Sequence, residues 1–311
     1  MDISIIICSY NRCGSLRRVL DTIQRLNGIQ EYSLETIVVD NNSTDETKAV
    51  VTEFSTSGRG IIRYLFEGRQ GKSYALNTGV QAAHGEILVF TDDDVSLHPD
   101  WLMNIQKTFA QHNCLGVGGK IVLLLPEKRP SWLKTDTPTP FMNAFGGFDW
   151  GDTSCTLKAS PFGANMAFRS EAFRKYGLFR TDMGPSGNNP LGKSEDTEFS
   201  SRLLSASETL MYAPDAIVYH PVDEAKMQRG YFEQWYFNLG KASMMRSELP
   251  EQTAYIFGVP RYFYRQLLTK GLRWMLTLDC SDRFCRKLEL YEIVGALTEA
   301  SRRHRLNKAR R

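Results

Sequence analysis

The 311-residue sequence lacks several features that would assign it to a common class of protein. No uncharged apolar run reaches the roughly 18–20 residues of a membrane-spanning helix, which argues against an integral membrane protein. No CxxC pair occurs among the six cysteines, and the N-terminus offers no signal peptide, so we expect reduced cysteines and a cytoplasmic location. A net charge of only +3 argues against a nucleic-acid-binding protein.

Two common nucleotide-binding motifs are also missing. The GxGxxG fingerprint of nicotinamide enzymes does not follow the first apolar run. Gly71, Lys72 and Ser73 look like the end of a P-loop, but Gly68 lies too close to Gly71 for the GxxxxGK(S/T) spacing. The sequence therefore argues against a nicotinamide dehydrogenase and against a P-loop nucleoside triphosphatase.

An alternation of predicted strands and helices fills the first 125 residues. Apolar, β-favouring runs predict strands over 3–8, 35–39, 61–66 and 87–91. Apolar residues at helical spacing predict helices over 15–26, 44–54, 72–83 and 99–112. This order predicts an α/β fold with a Rossmann-like, doubly wound, mostly parallel sheet.

The pattern becomes irregular after residue 125. Residues 126–160 are rich in proline, glycine and aromatic residues and are typical of a functional loop. Further on, the sequence predicts regular structure over 162–169, a helix over 170–176, a loop over 183–193 and a helix over 195–206. A strand over 210–219 is expected to break at Pro214, and helices are predicted over 224–247, 256–278 and 284–304.

Three consecutive carboxylates, Asp92, Asp93 and Asp94, follow the predicted strand 87–91. Ligands of open α/β sheets bind outside the carboxyl ends of the strands. Adjacent carboxylates repel one another unless a cation neutralises them, and Mg²⁺ prefers oxygen ligands that it often shares with a substrate's phosphates. The motif therefore predicts metal-assisted chemistry on a phosphate-bearing substrate, and the alternative is a solvated turn before the helix that begins near Pro99.

Polar residues follow the first two predicted strands as well. Ser9, Tyr10 and Arg12 follow the first strand, where a ring can pack on a base and a guanidinium can pair with phosphate. Asp40 and Asn42 follow the second strand, at the position where nucleotide-binding sheets accept hydrogen bonds from a ribose or a base. Turn formation is the alternative role for such residues.

The start of the predicted helix 72–83 is a further candidate. Gly71 and Lys72 begin this helix and Asn77 lies within it, and a glycine turn at a helix start can present backbone N–H groups to an anion. Asp45, by contrast, fits a purely local capping role.

Glu195, Asp196 and His220 lie far along the chain from these motifs. Acidic residues in a first helical turn are favoured by the helix dipole alone, but a positioned carboxylate can also act as a general base. His220 follows the predicted strand 210–219, where an imidazole either completes a metal's coordination or serves the structure.

Taken together, the motifs resemble those of the family 2 glycosyltransferases, which are inverting, nucleotide-sugar-dependent enzymes of the GT-A fold. The resemblance covers about residues 3–240. The segments that carry it are SerTyrAsnArg (9–12), AspAsnAsnSerThrAsp (40–45), GlyLysSerTyrAlaLeuAsnThrGly (71–79), PheThrAspAspAsp (90–94), GlyAlaAsnMetAlaPheArg (163–169) and GluAsp (195–196).

The resemblance implies a role for each candidate residue. The nucleotide-sugar site would comprise Ser9, Tyr10, Arg12, Asp40, Asn42, Gly71, Lys72, Asn77, Asp92, Asp93, Asn165 and Arg229. A divalent cation, Mg²⁺ or Mn²⁺, would be bound by Asp94 and Asp92 of a DxD motif and by His220. Asp196, beside Glu195, is similar to the family's catalytic base.

The resemblance also implies an activity and its partners. One sugar would move from a nucleotide-sugar donor, expected to be a UDP-sugar, to a hydroxyl of a saccharide or lipid-linked acceptor in cell-surface polysaccharide or glycoconjugate synthesis. The QxxRW motif of processive synthases is absent around Gln234 and Trp235, so single-sugar transfer is expected. The alternatives are a sugar-phosphate nucleotidyltransferase and a non-catalytic carbohydrate-binding protein on the same scaffold.

The family resemblance also implies a domain organisation. A GT-A domain is expected over 1–222, with a donor half (1–115) and an acceptor half (116–222), and a helical extension over 223–311. From Arg261 onward the chain has thirteen Lys or Arg residues against five Asp or Glu. This basic region is either a solvated end or a peripheral contact with an anionic membrane, which would lie at the inner face of the cell membrane. The segment 255–278 likewise either packs on the protein or lies in a lipid interface.

Overall fold

The computed structural model describes residues 2–57, 61–133, 140–185, 194–246, 254–256 and 259–309. Most of the predicted loop 183–193, part of the irregular segment 126–160 and the end of the basic tail lie outside the described residues. The chain divides into two compact units, the first comprising Met1–Leu125, Gly146–Asn188 and Glu195–Val222. The second comprises Pro126–Phe145, Asn189–Ser194 and Asp223–Arg311.

Strands and helices alternate through the first unit. The strands among the described residues are β1 (Ile3–Ser9), β2 (Leu34–Asp40), β3 (Ile61–Phe66), β4 (Ile87–Asp92), β5 (Ser96–Leu97), β6 (Gly116–Leu124), β7 (Cys155–Thr156), β8 (Met166–Arg169), β9 (Leu210–Pro221), β10 (Tyr255–Ile256) and β11 (Val259–Pro260). The α-helices are α1 (Cys13–Gln24), α2 (Thr47–Ser57), α3 (Lys72–Ala82), α4 (Trp101–Gln111), α5 (Pro140–Ala144), α6 (Ser170–Tyr176), α7 (Glu195–Ser205), α8 (Arg229–Arg246), α9 (Arg261–Leu276) and α10 (Cys280–Ala309).

One sheet organises the first unit, with the strand order β3-β2-β1-β4-β8-β6-β9-β5 and with β7 paired to β9. The strands β3, β2, β1 and β4 are mutually parallel, and β6 is parallel to β9. The strands β8, β5 and β7 run antiparallel to their neighbours. The prediction of an α/β fold with a mostly parallel sheet is confirmed.

Register brings the ends of the three central parallel strands to one edge of the sheet. Ser9 at the end of β1 is paired with Asp40 at the end of β2, and Cys8 is paired with Asp92 at the end of β4. The polar residues after these strands therefore converge, as expected for parallel strands whose carboxyl ends share an edge.

The core of the first unit surrounds β1. Ile5, Ile6 and Ile7 are fully buried, which is typical of a parallel strand covered on both faces. Each such side chain contributes about 1.5–3 kcal/mol through burial. Helix α3 packs closely on this strand, because a Cβ at Gly79 would lie 2.6 Å from Ile6 Cγ2.

Two element boundaries differ from the predictions for local reasons. Helix α2 begins at Thr47 and not at residue 44, because Asp45 Oδ1 accepts a hydrogen bond from Thr47 N at 3.1 Å. Asp45 Oδ2 also accepts a hydrogen bond from Cys13 N at 2.9 Å, so its role is not purely local as predicted. Strand β9 continues through Pro214, because its pairing with β6 jumps from Ala213 to Ile217 and leaves the proline out of the ladder.

Helices α8, α9 and α10 form most of the second unit. The backbones of α8 and α10 approach closely, since a Cβ at Gly240 would lie 1.8 Å from Glu292 O and one at Gly295 would lie 1.9 Å from Phe237 O. The segment Pro126–Phe145, which the sequence assigned to the acceptor half, packs in this unit. No helix in the described part of the chain is long and apolar enough to cross a membrane.

Candidate active site

An ion pair stands at the end of β4. Lys72 Nζ, on the first residue of α3, lies 2.6 Å from Asp92 Oδ1. Burial disfavours the charged form of Lys72, but the carboxylates of Asp92 and Glu195 outweigh it and raise the lysine pKa. Burial likewise opposes ionisation of Asp92, but Lys72 holds the pKa of that carboxyl below its usual range. Both groups are therefore charged at neutral pH.

Asp93 is buried beside the end of β1. Its Oδ2 accepts a hydrogen bond from Ser9 Oγ at 2.6 Å, and its Oδ1 lies 3.2 Å from Arg12 Nη1. Burial raises the pKa of Asp93 to about 6, although the bond from Ser9 and the charge of Arg12 act in the opposite direction. Ser9 and Asp93, both predicted as nucleotide-sugar contacts, thus bind each other.

Asp94 lies between a guanidinium and an imidazole. Arg12 Nη1 lies 2.5 Å from Asp94 Oδ2, and His220 Nε2 lies 3.7 Å from Asp94 Oδ1. His220 is the next-to-last residue of β9 and is buried. The turn after β4 therefore meets the end of β9, as the prediction for His220 required.

The arrangement fits a cation that the substrate helps to bind. Within the described ranges, no three His, Cys, Asp or Glu residues are grouped so as to hold a metal ion. Asp94 and His220 supply one carboxylate and one imidazole, and Mg²⁺ is commonly held by one or two carboxylates together with substrate phosphates and water. Asp92, predicted as a further metal ligand, is instead paired with Lys72.

Asp196 reaches the same edge from the first turn of α7. Its Oδ2 accepts a hydrogen bond from Gly163 N at 2.9 Å, and its Oδ1 accepts one from Thr197 N at 2.6 Å. A Cβ at Gly163 would lie 3.5 Å from both Asp196 Oδ2 and Lys72 Nζ. The carboxylate predicted as the base therefore lies close to the ion pair at the end of β4.

Glu195 differs from its neighbour in its surroundings. Its side chain is buried, whereas Asp196 is partly exposed. Burial and the adjacent Asp196 raise the pKa of Glu195, against the opposing charge of Lys72. Glu195 therefore holds a proton more readily than an ordinary glutamate.

The residues after β2 divide into buried and exposed groups. Asp40 is buried, and its carboxylate accepts hydrogen bonds from Tyr64 Oη and from Ser43 N, both at 2.8 Å. Asn42 is exposed and has a left-handed backbone with φ of +66°. Tyr10, after β1, has 48% of its surface exposed, so its ring is accessible for stacking.

Asn41, which the sequence analysis did not select, organises the loop before α3. Its Nδ2 donates to Arg69 O at 2.7 Å, and its Oδ1 accepts from Gly71 N at 2.8 Å. Lys72 N donates in turn to Pro185 O at 2.9 Å. The N–H groups of Gly71 and Lys72, predicted to face an anion, are therefore bonded within the protein. The adjacent asparagines 41 and 42 carry no sequence signal that separates them, because the difference depends on the turn.

Asn77 and Asn165 are bonded to the main chain. Asn77 donates to Phe179 O at 2.8 Å and accepts from Phe179 N at 2.9 Å. Asn165 is fully buried; its Nδ2 donates to the carbonyls of Lys120 and Ala216, and its Oδ1 accepts from Trp101 Nε1. In place of the predicted ligand contacts, both amides hold segments of the protein together.

Arg229 belongs to the second unit. Its guanidinium lies 5.3 Å from the ring centroid of Trp132 and 5.1 Å from that of Phe284, which are cation–π distances. Its predicted contact with a diphosphate stays a prediction.

Comparison with known proteins agrees with the geometry. Residues 4–177 match the model of glycosyl transferase family 2. The chain is similar to glycosyltransferase AglE of Haloferax volcanii, at 27% identity over 70% of this chain and 66% of AglE. It is also similar to the succinoglycan biosynthesis protein ExoM of Rhizobium meliloti, at 24% identity over 78% of this chain and 74% of ExoM.

The fold has solved counterparts. A mannosyltransferase, PcManGT, from Pyrobaculum calidifontis, solved with GDP-Man and Mn²⁺, superposes with a TM-score of 0.57 at 22% identity, covering 99% of this chain and 75% of that one. The fold is accordingly the GT-A fold, with a helical C-terminal region. With its family model matched over more than half its length, the chain is a glycosyltransferase and belongs to glycosyl transferase family 2.

Proposed function

We propose that this glycosyltransferase moves a single sugar, with inversion, from a nucleotide sugar to a hydroxyl of a saccharide or lipid-linked acceptor. The proposal rests on the surroundings of Gly163. A Cβ added to this glycine would lie 3.5 Å from both Asp196 Oδ2 and Lys72 Nζ, so the two side chains approach each other there. A carboxylate that can accept a proton thus lies next to a cationic group that can face a diphosphate.

The donor would bind along the ends of β1, β2 and β4. Tyr10 offers an exposed ring for the base, and Asp40 and Asn42 offer polar atoms for the nucleoside. Arg12 and Lys72 carry the positive charge that a diphosphate requires. Asn77 and Asn165 act as positioning residues, because their side chains support the backbone around this edge.

Asp94 and His220 would hold a divalent cation, Mg²⁺ or Mn²⁺, together with the donor. Such a cation supplies charge that stabilises the departing diphosphate. The similar mannosyltransferase was solved in complex with GDP-Man and Mn²⁺, which supports the use of a divalent cation. The Arg12 guanidinium forms ion pairs with Asp93 and Asp94 at the same place.

Asp196 is the proposed general base. It takes the proton of the acceptor hydroxyl while that oxygen forms a bond to the anomeric carbon and the bond from that carbon to the diphosphate breaks. One displacement inverts the anomeric configuration, and base assistance contributes about 10²–10⁴-fold. Glu195 is the weaker candidate, because its side chain is buried, whereas that of Asp196 is partly exposed.

The donor is expected to be a UDP-sugar, and the reaction to serve cell-surface polysaccharide or glycoconjugate synthesis. The name of ExoM, a succinoglycan biosynthesis protein, supports a saccharide product. We place the enzyme in the cytoplasm and at the inner face of the membrane, where a lipid-linked acceptor is accessible.

The test combines a donor screen with one variant. UDP- and GDP-sugars are incubated with the protein with and without Mn²⁺, and release of nucleoside diphosphate is measured. We expect metal-dependent release with one donor, and we expect Asp196→Asn to abolish transfer while calorimetry shows unchanged nucleotide binding. Pyrophosphate formed from a nucleoside triphosphate and a sugar phosphate would indicate a nucleotidyltransferase, and an active Asn variant would remove Asp196 from the base role.

A further inference from the structure

Helix α9 has an outward face formed of large apolar side chains. None of its residues is buried. Leu268 and Leu276 expose 75% and 71% of their surface, Met275 exposes 59% and Leu272 exposes 55%. Spacings of four, seven and eight residues place these side chains on one side of a helix. Leu278, just beyond the helix, exposes 93%.

Other side chains of α9 attach the helix to its own unit. Phe263 and Tyr264 pack against a cluster that includes Met244 and Ala296. Lys270 Nζ lies 3.6 Å from Glu289 Oε2 of α10. The helix is therefore fixed to its unit and presents its leucine-rich side outward.

Exposed arginines accompany the apolar face. Arg261 and Arg265 fall on the same side of the helix as Leu268 and Leu272, at 100° per residue, and Arg273 lies at its border. Among the described residues none of these three arginines forms an ion pair. An apolar strip with unpaired cations on and beside it is the composition of helices that lie in the interface of a membrane.

We propose that α9 lies flat on an anionic lipid bilayer, with Leu268, Leu272, Met275 and Leu276 in the acyl boundary and the three arginines on lipid phosphates. Charge complementarity identifies the partner of this face of α9. An anionic bilayer matches both features of this face, because its headgroups complement the arginines and its acyl boundary accepts the apolar side chains. The inference goes beyond sugar transfer and does not depend on the role of Asp196.

Flotation of the intact protein with lipid vesicles tests the proposal. Vesicles of phosphatidylcholine are compared with vesicles that also contain phosphatidylglycerol, at low and at high salt. We expect binding to the anionic vesicles that weakens with salt, because the electrostatic part of the attraction is screened. The double variant Leu268→Glu/Leu272→Glu is expected to lower the bound fraction by about tenfold or more, since it places charge in the acyl boundary.

Two further variants distinguish a specific loss of vesicle binding from misfolding of the protein. Val294→Glu introduces a single glutamate on an exposed position of α10 and should float like the unmodified protein. Arg261→Gln/Arg265→Gln/Arg273→Gln should remove the preference for anionic lipid. Circular dichroism and nucleotide binding in solution should be unchanged in every variant, so a failure here is distinct from a failure of the proposed reaction.

Three results would overturn the proposal. The first is absence of flotation with anionic vesicles at low salt. The second is equal flotation of the double leucine variant and the unmodified protein. The third is a dimer in sedimentation experiments that the leucine variant dissociates, which would assign the face to a second copy of the chain.

Discussion

The ammonium of Lys72 lies 2.6 Å from the carboxylate of Asp92, joining the start of α3 to the end of β4. Neither group is fully exposed, with side-chain exposures of 25% and 27%. Each holds the other in its charged form, and the lysine also lies near Asp196. The Lys72 ammonium thus lies near the carboxylates of both Asp92 and Asp196 at the proposed reaction centre.

Replacement of Lys72 tests that arrangement. Lys72→Met leaves Asp92 without its partner, so we expect the free energy of unfolding to fall by about 1–3 kcal/mol and the affinity for nucleoside diphosphate to drop. Denaturant titration and calorimetry measure the two effects. Lys72→Arg retains the charge and is the matched control; equal nucleotide affinity in the Met and Arg variants would contradict the role.

Glu195 should change how the stability of the protein depends on pH. Because the native pKa of Glu195 is raised, stability falls as pH increases from about 4, the ordinary pKa of a glutamate, through the native value. Glu195→Gln should therefore lose less stability than the unmodified protein between pH 5 and pH 8. Denaturant titrations across this range measure the difference, and parallel pH profiles in the two proteins would show that Glu195 titrates normally.

Asp94 should couple nucleotide binding to the metal. Asp94→Ala removes one of the two proposed protein ligands, so the gain in nucleotide affinity on adding Mn²⁺ is expected to shrink about tenfold or more. Calorimetry with and without Mn²⁺ gives the comparison. His220→Ala should act in the same direction, and an undiminished effect of Mn²⁺ in both variants would place the cation elsewhere.

Asn41 should matter more for stability than its neighbour. Asn41→Ala leaves the Gly71 N–H and two carbonyls of the loop before α3 without a partner, at a cost of about 1–3 kcal/mol. Asn42→Gly is the control, because glycine adopts the left-handed backbone of this exposed position without strain. Equal unfolding free energies for the two variants would show that Asn41 does not hold the loop.

The edge of the sheet could be predicted because it depends on local patterns. Apolar runs define β1, β2 and β4, and parallel strands must end at a common edge, so Ser9, Asp40 and Asp92 could be grouped from sequence. His220 could be placed at this edge because it follows the predicted strand 210–219, whereas Asp196 was assigned to the site by the family resemblance.

The roles of individual polar residues could not be predicted in the same way. Asn41 and Asn42 are chemically identical, and only the turn after β2 determines which one is buried. The family resemblance implied a ligand contact for Asn165, but its three partners come from distant segments of the chain. Hydrogen bonds between residues that lie far apart in the sequence cannot be recognised from a short stretch of it.

The late position of β8 in the sequence, well after its partner β4, has a consequence for folding. Strand β4 is paired on one side by β1 early in the chain, but its other side is covered only by β8, whose last residue is Arg169. Until the ribosome has released that residue, the apolar strand Ile87–Asp92 presents an open row of amides and carbonyls on which another nascent chain can add. A fragment that stops at residue 125 should therefore self-associate, whereas the longer chain covers this edge with its own later strand.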